Sequence, residues 1–364
     1  MFSAGEASGD AYGAALVEEL KSRGSDSWTI EAIGGPRLRD SGATLLMDSS
    51  QWAAISFTQS LAVGSKVVRG FLRAKRALRT GKPGIFVPID FGTMNIRLAR
   101  YAKALGWRVL YFVPPGSWRR DRQGADLPKI TDAIVTPFSW SAEILNSMGA
   151  DAHWFGHPVL ALMPDPTNEV RTTIAVLPGS RRHEIQHNLP VMAQATQEEP
   201  EIEIAVAATV NLDALKKHWR DSGGNPAARF VVGDVYGVLR RARMGVICSG
   251  TATLQAAVSL TPMVVIYKFS KITEIEGRIV GIRKRLKMFS LPNIMLNRMA
   301  VPELAQEAAN PEAIRAWVDL LKADTRERWM QLEAFQELGK ILGPPDAIRR
   351  TADILQDWTV EDRR

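Results

Sequence analysis

The sequence predicts an α/β fold made of two consecutive domains, each built around a parallel sheet. Short apolar segments of strand length alternate with amphipathic segments of helix length along most of the chain, as in repeated βα units. A proline-containing segment at 163–166 interrupts this alternation, which then restarts. The length of 364 residues accommodates two domains of roughly 100–200 residues each.

In the first half of the chain, apolar runs predict strands that are buried on both faces of a sheet. These runs lie at 28–33, 84–89, 107–113, 133–135 and 153–155. Helical periodicity at 95–105 and 141–148 falls between some of them. Only Met1 and Phe2 precede the small-residue loop at 3–10, so the first strand is expected to be nearly absent.

The second half repeats the pattern, with predicted strands at 172–177, 202–207, 230–232, 244–248 and 263–267. The segment after about residue 302 is mostly helical. We therefore predict two Rossmann-like domains, 1–167 and 168–340, and a C-terminal helical segment, 341–364, that packs on the first domain or on a partner subunit. Ligands bind at the carboxyl ends of parallel strands, so the two domains are expected to face each other across a cleft that holds the active site.

Composition and charge restrict the class of partner. The chain carries 46 Lys and Arg against 39 Asp and Glu, a net charge of +7 that suits a nucleotide, a nucleic acid or an anionic lipid surface. The single cysteine, Cys248, excludes an internal disulfide and a cysteine metal cluster. No apolar run approaches the roughly 18 residues of a spanning helix, and the first six residues do not resemble a signal peptide. We therefore expect a cytoplasmic protein.

Two segments combine basic residues with apolar residues at near-helical spacing. The first, 66–82, contains seven Lys and Arg and no acidic residue. The second, 278–287, interleaves Ile279, Ile282 and Leu286 with arginines and lysines. A basic amphipathic helix is typical of a membrane-surface element. The alternative is an ordinary half-buried helix with a solvated cationic face, and the sequence leaves both interpretations open.

The most informative motif is a turn of small residues between a predicted strand and a predicted helix. Its members are Ser249, Gly250, Thr251, Ala252 and Thr253, followed after Leu254 by Gln255. Such a turn directs backbone N–H groups and hydroxyls toward a ligand at a helix N-terminus. An anionic group such as a diphosphate is favoured there by the unpaired amides and the helix dipole.

A second candidate follows the strand at 172–177, where Pro178 and Gly179 end the strand and a helix begins near Arg182. Gly179 and Ser180 are expected to expose backbone amides. Arg181 adds a fixed cation with bidentate donors, which suits the stabilisation of a leaving diphosphate. A purely structural strand-to-helix turn explains the motif equally well.

A third candidate is Asp90, directly after the strand at 84–89. A carboxylate at this edge of a parallel sheet can serve as a general base for an acceptor hydroxyl, and the alternative is a helix N-cap. The loop at 3–10 offers Gly5, Glu6 and Ser8 to a ligand, with Asp10 as a possible cap of the following helix.

A fourth candidate lies after the second basic segment. There Asn293 can hydrogen-bond a sugar or a base, or close a turn. His157 is a lone histidine in a strand-to-loop motif, and no metal site is predicted.

These motifs, in this order, resemble lipid-A-disaccharide synthase, a family of GT-B glycosyltransferases. The resemblance covers nearly the whole chain. Its segments are SAGEASGD at 3–10, IGGPRLRDSGA at 33–43, ID at 89–90, FGHPVL at 155–160, LPGSRRHEI at 177–185, SGTATLQAA at 249–257, PMVVIYK at 262–268, SLPNIMLNR at 290–298 and VPELAQE at 301–307. Each segment is moderately specific, and their joint order is highly specific.

The resemblance implies a definite activity. The family transfers 2,3-diacylglucosamine from its UDP conjugate to the 6-hydroxyl of 2,3-diacylglucosamine 1-phosphate, with inversion and release of UDP and without a metal or other cofactor. It further implies that Asp90 is the base, that Arg181 and Asn293 are functionally important, and that the turn at 249–255 holds UDP. It also implies a peripheral protein of the inner membrane with an anionic lipid partner, a homodimer and no nucleic acid.

Several positions depart from the family pattern. Gln255 stands where members usually have Glu, and Thr93 stands where they usually carry a second acid after Asp90. The stretch at 113–120 is also altered. Two alternatives therefore stay open: a UDP-sugar epimerase of related fold, and a non-catalytic homologue that binds anionic lipid.

Overall fold

We describe a computed structural model of the chain that covers residues 1–24, 28–50, 52, 57–117, 120, 124–164, 170–269 and 288–361. It divides into two compact units. The first contains residues 1–162 together with 342–364, and the second contains residues 163–341. The C-terminal segment therefore belongs to the first unit. The second basic segment, 278–287, lies outside the described residues.

Unit 1 contains a parallel sheet of seven strands in the order β3-β2-β1-β4-β5-β6-β7. The strands are β1 Phe2–Ala4, β2 Glu31–Gly34, β3 Thr44–Asp48, β4 Ile85–Ile89, β5 Arg108–Phe112, β6 Ala133–Thr136 and β7 Ala152–Trp154. The helices are α1 Ala7–Ser22, α2 Pro36–Asp40, α3 Phe57–Thr80, α4 Gly92–Ala104, α5 Leu127–Ile130, α6 Ser139–Ser147 and α7 Pro158–Ala161.

Unit 2 contains a parallel sheet of six strands in the order β10-β9-β8-β11-β12-β13. The strands are β8 Thr173–Leu177, β9 Ile202–Val206, β10 Arg229–Val232, β11 Ala242–Cys248, β12 Met263–Tyr267 and β13 Glu303–Ala305. The helices are α8 Arg182–Thr196, α9 Leu212–Asp221, α10 Val235–Arg241, α11 Thr251–Val258, α12 Leu291–Leu296, α13 Pro311–Lys322 and α14 Arg326–Leu342, and the chain continues into α15 Ala347–Glu361 of unit 1.

Helices cover both faces of the first sheet, because alternate residues of its strands point in opposite directions. In β5, Leu110 and Phe112 enter one core cluster, whereas Val109 and Tyr111 enter another. The first cluster also receives one side of α15, through Ile348, Ala352, Leu355 and Trp358. These features confirm the predicted class of two Rossmann-like parallel-sheet domains.

Three strands are only weakly marked in the sequence pattern. The strand β1 has three residues, yet it lies in the middle of the sheet, paired with β2 and β4. The strand is very short, in agreement with the expectation that little of it is present, but it pairs on both sides. β3 and β13 are the end strands of their sheets. Both are only partly buried, so they lack a long apolar run.

Helix α3 carries the first basic segment and is amphipathic. Ala74 and Leu78 are fully buried, whereas Val68 is 56% exposed and Leu72 is 57% exposed. Two large apolar side chains one helical turn apart thus face solvent among basic residues. Within the described part of the chain, no helix has the length and hydrophobicity needed to cross a membrane.

Candidate active site

The predicted ligand loops of unit 2 follow two adjacent strands. β8 and β11 pair directly, with Leu177 opposite Ile247, and the chain departs from them toward opposite edges of the sheet. Such a topological switch point is where open α/β sheets bind ligands, outside the carboxyl ends of the strands. The loop at 178–181 and the turn at 249–250 both begin there.

The turn after β11 leads directly into α11, which begins at Thr251. Gly250 has a φ of 151°, and a Cβ added to it would meet nothing within 4 Å, so the backbone is open to approach there. Thr251 and Ala252 are partly exposed in the first turn of the helix, where backbone N–H groups lack intrahelical partners. Gln255 lies one turn further along the same helix and is also partly exposed.

Two side chains of this turn have structural roles. Thr253 is fully buried, and its Oγ1 donates a hydrogen bond to the Gly250 carbonyl at 2.8 Å. Its hydroxyl therefore closes the turn, and the expected part of Thr253 in donor binding stays a prediction. Ser249 Oγ donates to the Phe289 carbonyl at 3.0 Å and ties the turn to the segment before α12.

The loop after β8 is organised by Glu184, a residue that the sequence analysis did not single out. Its side chain is 7% exposed, and its Oε2 accepts hydrogen bonds from the amides of Ser180 and Arg181 at 3.1 and 3.2 Å. Its Oε1 accepts from the Arg181 guanidinium at 3.0 Å. The Ser180 amide is thus already bonded in this conformation, and its expected contact with a ligand stays a prediction. The carboxylate also fixes the position of the Arg181 guanidinium.

Gly179 is required by this arrangement. Its φ is +109°, in the region that favours glycine, and a Cβ at this position would lie 2.7 Å from the Cβ of Glu184. The glycine therefore allows the loop to fold closely around the carboxylate.

Asn293 is fully buried and its side-chain amide is saturated with hydrogen bonds. Its Oδ1 accepts from the amides of Ala300 and Val301 at 2.7 and 2.9 Å. Its Nδ2 donates to the Val301 carbonyl at 2.9 Å and to Glu303 Oε1 at 2.8 Å. An amide nitrogen carries two hydrogens, and both are used. In this conformation the side chain closes a turn, the alternative that the sequence left open, and its direct contact with a donor stays a prediction.

The candidate residues of unit 1 also lie at a switch point. β1 and β4 pair, with Ala4 opposite Ile89, so the loop that begins at Gly5 and Glu6 starts beside Asp90. A Cβ on Gly5 would lie 2.3 Å from the ring of Phe91, so only glycine fits between the two loops. Ser8 lies in the first turn of α1 and is partly exposed.

The backbone at Asp90 is unusual and firmly held. Asp90 and Phe91 both have a φ of +47°, a left-handed conformation that is strained for residues other than glycine and that clusters at functional sites. The Asp90 carbonyl accepts hydrogen bonds from Asn95 Nδ2 at 3.0 Å and from the Tyr111 hydroxyl at 2.9 Å. Burial, with a smaller contribution from the Asp90 charge, raises the pKa of Tyr111 well above its usual value.

The alternative role of Asp90 as a cap of α4 stays a prediction. The residue at the N-cap position of α4 is Phe91, whose side chain makes no capping hydrogen bond. The partly exposed Asp90 side chain lies one residue before that position, at the carboxyl end of β4.

Asp10 does cap a helix, but not the one expected. α1 begins at Ala7, so Asp10 lies inside it, and its carboxylate accepts hydrogen bonds from the amides of Gly35, Arg37 and Leu38 at 2.6, 3.0 and 3.2 Å. It thus caps α2. Burial raises the pKa of Asp10, and the three backbone hydrogen bonds oppose that shift.

The sequence also contains one spacing that is typical of metal ligands. His183 and His187, with Glu184 between them, match the H-E-x-x-H pattern of zinc proteases. In the structure Glu184 is bonded to Arg181 and to two loop amides, which is not the position of a general base. Among the described residues, no three His, Cys, Asp or Glu side chains are grouped so that they could hold a metal ion.

Solved structures with the same architecture include enzymes that act on nucleotide sugars. Over 98% of both chains, the protein is similar to the UDP-GlcNAc 2-epimerase of Methanocaldococcus jannaschii in complex with UDP-GlcNAc and UDP, with a TM-score of 0.60 and 10% identity. It is also similar to the calicheamicin glycosyltransferase, with a TM-score of 0.55 and 15% identity over 100% of this chain and 98% of the other. At these identities the likeness shows the fold, that of GT-B glycosyltransferases.

The sequence comparisons are more specific. The family model described as lipid-A-disaccharide synthetase matches residues 1–341. The lipid-A-disaccharide synthase of Syntrophus aciditrophicus is 32% identical over 371 aligned residues, which cover 96% of this chain and 94% of the relative. Together with the fold, these matches show that the chain belongs to the lipid-A-disaccharide synthase family and is a glycosyltransferase of the hexosyltransferase class.

Proposed function

We propose that this enzyme joins UDP-2,3-diacylglucosamine to 2,3-diacylglucosamine 1-phosphate, inverts the anomeric centre and releases UDP. The observation that supports this best is the position of Asp90 in unit 1. A partly exposed carboxylate follows directly on a central strand at the switch point, on a backbone held by Asn95 and Tyr111. This is the position that a general base for the acceptor hydroxyl requires.

The donor is assigned to unit 2. The first N–H groups of α11 and the helix dipole favour the diphosphate, and the open backbone at Gly250 permits its close approach. Glu184 orients the Arg181 guanidinium at the neighbouring loop. A guanidinium can hold two phosphate oxygens at once and stabilise the charge that develops on UDP as it leaves. The proposed mechanism uses no metal or other cofactor.

The acylated substrates suggest where the enzyme works. The exposed Val68 and Leu72 on the basic helix α3 fit a peripheral protein at the anionic, cytoplasmic surface of the inner membrane. No nucleic-acid partner is proposed. A homodimer is included in the proposal. Trp329 and Met330, which are each 56% exposed on α14, support it as apolar side chains that a second subunit would cover.

The test is Asp90→Asn, assayed by mass spectrometry of the products from the two acylated sugars. We expect turnover to fall by roughly 10²- to 10⁴-fold, the usual contribution of a general base, while binding of the UDP-sugar survives. Asp126→Asn is the matched control, because Asp126 is an exposed carboxylate of the same unit, 61% exposed and paired with Arg100.

Near-normal turnover of Asp90→Asn would remove Asp90 from the role of base. A parallel incubation with UDP-N-acetylglucosamine alone addresses the epimerase alternative. Conversion of that sugar without an acceptor would contradict the proposed transfer.

A further inference from the structure

The carboxylate of Glu303 has no part in the proposed chemistry, yet it is the centre of a dense hydrogen-bond network beside the donor turn. We propose that Glu303 is a positioning residue, which holds Asn293 and the segment at 289–290 in place next to Ser249. Asn293 then acts on donor binding through this frame and not by touching the donor. The inference rests on the assignment of UDP to unit 2.

Glu303 accepts three hydrogen bonds from one short segment. Its Oε2 accepts from the Phe289 amide at 2.9 Å, and its Oε1 accepts from the Ser290 amide and from Asn293 Nδ2, both at 2.8 Å. Hydrogen bonds to an ionised carboxylate are stronger than those between neutral groups. One side chain therefore fixes both the start of α12 and the residue inside it.

Glu303 is itself anchored to the sheet. It is the first residue of β13 and pairs with Val265 of β12. The segment at 289–290, in contrast, precedes α12 and has no place in the sheet. The carboxylate thus transfers the rigidity of the sheet to a segment that lacks regular structure.

The segment in turn reaches the donor turn through Phe289. The amide of Phe289 donates to Glu303, and its carbonyl accepts from Ser249 Oγ at 3.0 Å. The peptide group before Phe289 is thus held by Glu303 through its N–H, and the peptide group after it is held by Ser249 through its carbonyl. A shift of this segment away from Glu303 would pull on Ser249, which directly precedes Gly250 and the N-terminus of α11.

Asn293 has no spare hydrogen-bonding group with which to reach a ligand. Its nitrogen bonds to Val301 and Glu303, and its oxygen bonds to two amides of the chain that leads back to β13. Asn293 therefore joins α12 to residues 300–303 by hydrogen bonds of its side chain. Glu303 makes the reverse connection, because its side chain joins β13 to residues 289–293.

The decisive variant is Asn293→Asp, which places a second carboxylate about where the amide nitrogen lies, 2.8 Å from Glu303 Oε1. Two carboxylates this close share a proton and titrate as a pair. The test is the affinity of the folded full-length chain for UDP, measured by calorimetry between pH 5 and pH 8.5. We expect affinity within a few-fold of wild type at the acid end and about 10- to 100-fold weaker binding at the alkaline end.

Two further variants separate the frame from direct contact. Glu303→Gln removes the charge, and we expect it to weaken UDP binding by about tenfold at all pH values. The double variant Asn293→Asp with Glu303→Gln restores one carboxylate and one amide, so it should lose the pH dependence and bind better than Asn293→Asp at pH 8.5. Glu307→Gln is the control, because Glu307 is exposed in the turn after β13.

The outcomes are distinguishable. If Asn293 contacts the donor directly, Asn293→Asp loses affinity and the double variant does not recover it, while Glu303→Gln binds UDP normally. That result would overturn the inference. Absence of UDP binding by the wild-type chain would instead refute the proposed function, on which the inference rests.

Discussion

The clearest stability prediction concerns Glu184, the carboxylate inside the loop after β8. Glu184→Ala removes the acceptor of two backbone amides and the partner of Arg181. Because the Glu184 side chain is only 7% exposed, water cannot replace these bonds without rearrangement. Loss of one member of a buried pair costs about 3–5 kcal/mol.

We expect the lower end of that range, about 3 kcal/mol, because the Arg181 side chain is 27% exposed and can recover part of its hydration. For a domain of 150–250 residues this corresponds to a decrease in Tm of about 6–12 °C. Glu184→Gln keeps one accepting oxygen, so its loss should be about half as large.

The assay is calorimetric unfolding combined with hydrogen exchange. The Ser180 and Arg181 amides should exchange faster in Glu184→Ala, since their acceptor is gone. The control is Glu198→Ala, because Glu198 is 72% exposed and its ion pair with Arg315 is worth about 0–1 kcal/mol. A Glu184→Ala protein with the Tm of that control and unchanged exchange at Ser180 would refute the reasoning.

Two further predictions concern unit 1. Burial lowers the pKa of His157 to about 3. Below about pH 6.5 the unfolded chain therefore binds a proton at this residue that the folded chain does not bind. The free energy of unfolding consequently falls as the pH is lowered from 6.5. His157→Asn keeps an acceptor for the Val159 amide and should flatten the pH dependence of the free energy of unfolding, measured with urea between pH 6.5 and 4. The same pH dependence in the variant and the wild type would contradict this role of His157. Val68→Ser with Leu72→Ser removes two exposed apolar side chains from α3 and should weaken binding to vesicles that contain anionic phosphatidylglycerol by tenfold or more. Val170→Ser, at a residue 83% exposed, is the control, and equal binding of the two proteins would contradict membrane contact through α3.

The sequence predicts the fold well wherever a strand is long and apolar. The strands at 85–89, 108–112, 173–177 and 263–267 all lie within the predicted runs. Such residues are buried on both sides of a parallel sheet, so hydrophobicity alone marks them. β1 and β13 are shorter and β3 is only partly buried, so what places these strands is pairing with a neighbour rather than their own composition.

The candidate site is predicted less completely, for a physical reason. Asp90 and Arg181 are visible because each directly follows, or lies close after, an apolar strand. Glu184 could have been found, since it stands three residues after the N-cap, the spacing at which a Glu reaches back to the amides of a helix start. Asp10 and Glu303 bond to residues 25 and 14 positions away, and no local pattern encodes those contacts.

Burial also changes what a polar residue type implies. Asn293 and Thr253 look like ligand contacts in the sequence because amides and hydroxyls bind sugars and phosphates. In the structure both are fully buried, and their hydrogen bonds go to the protein. Whether a polar side chain faces a ligand or its own backbone is decided by tertiary packing, which the sequence pattern does not report.

The position of α15 has a consequence for how the protein is made. Unit 1 begins at the first residue, but its core is completed by Ile348, Ala352, Leu355 and Trp358, which leave the ribosome after all of unit 2. Burial of Ile348 and Leu355 alone is worth roughly 3–6 kcal/mol, a large part of the 5–15 kcal/mol that stabilises a typical domain. Unit 2 is continuous in sequence and can fold during synthesis, whereas the core of unit 1 stays incomplete until α15 has been made. The half of the protein that is synthesised first is therefore the half that matures last.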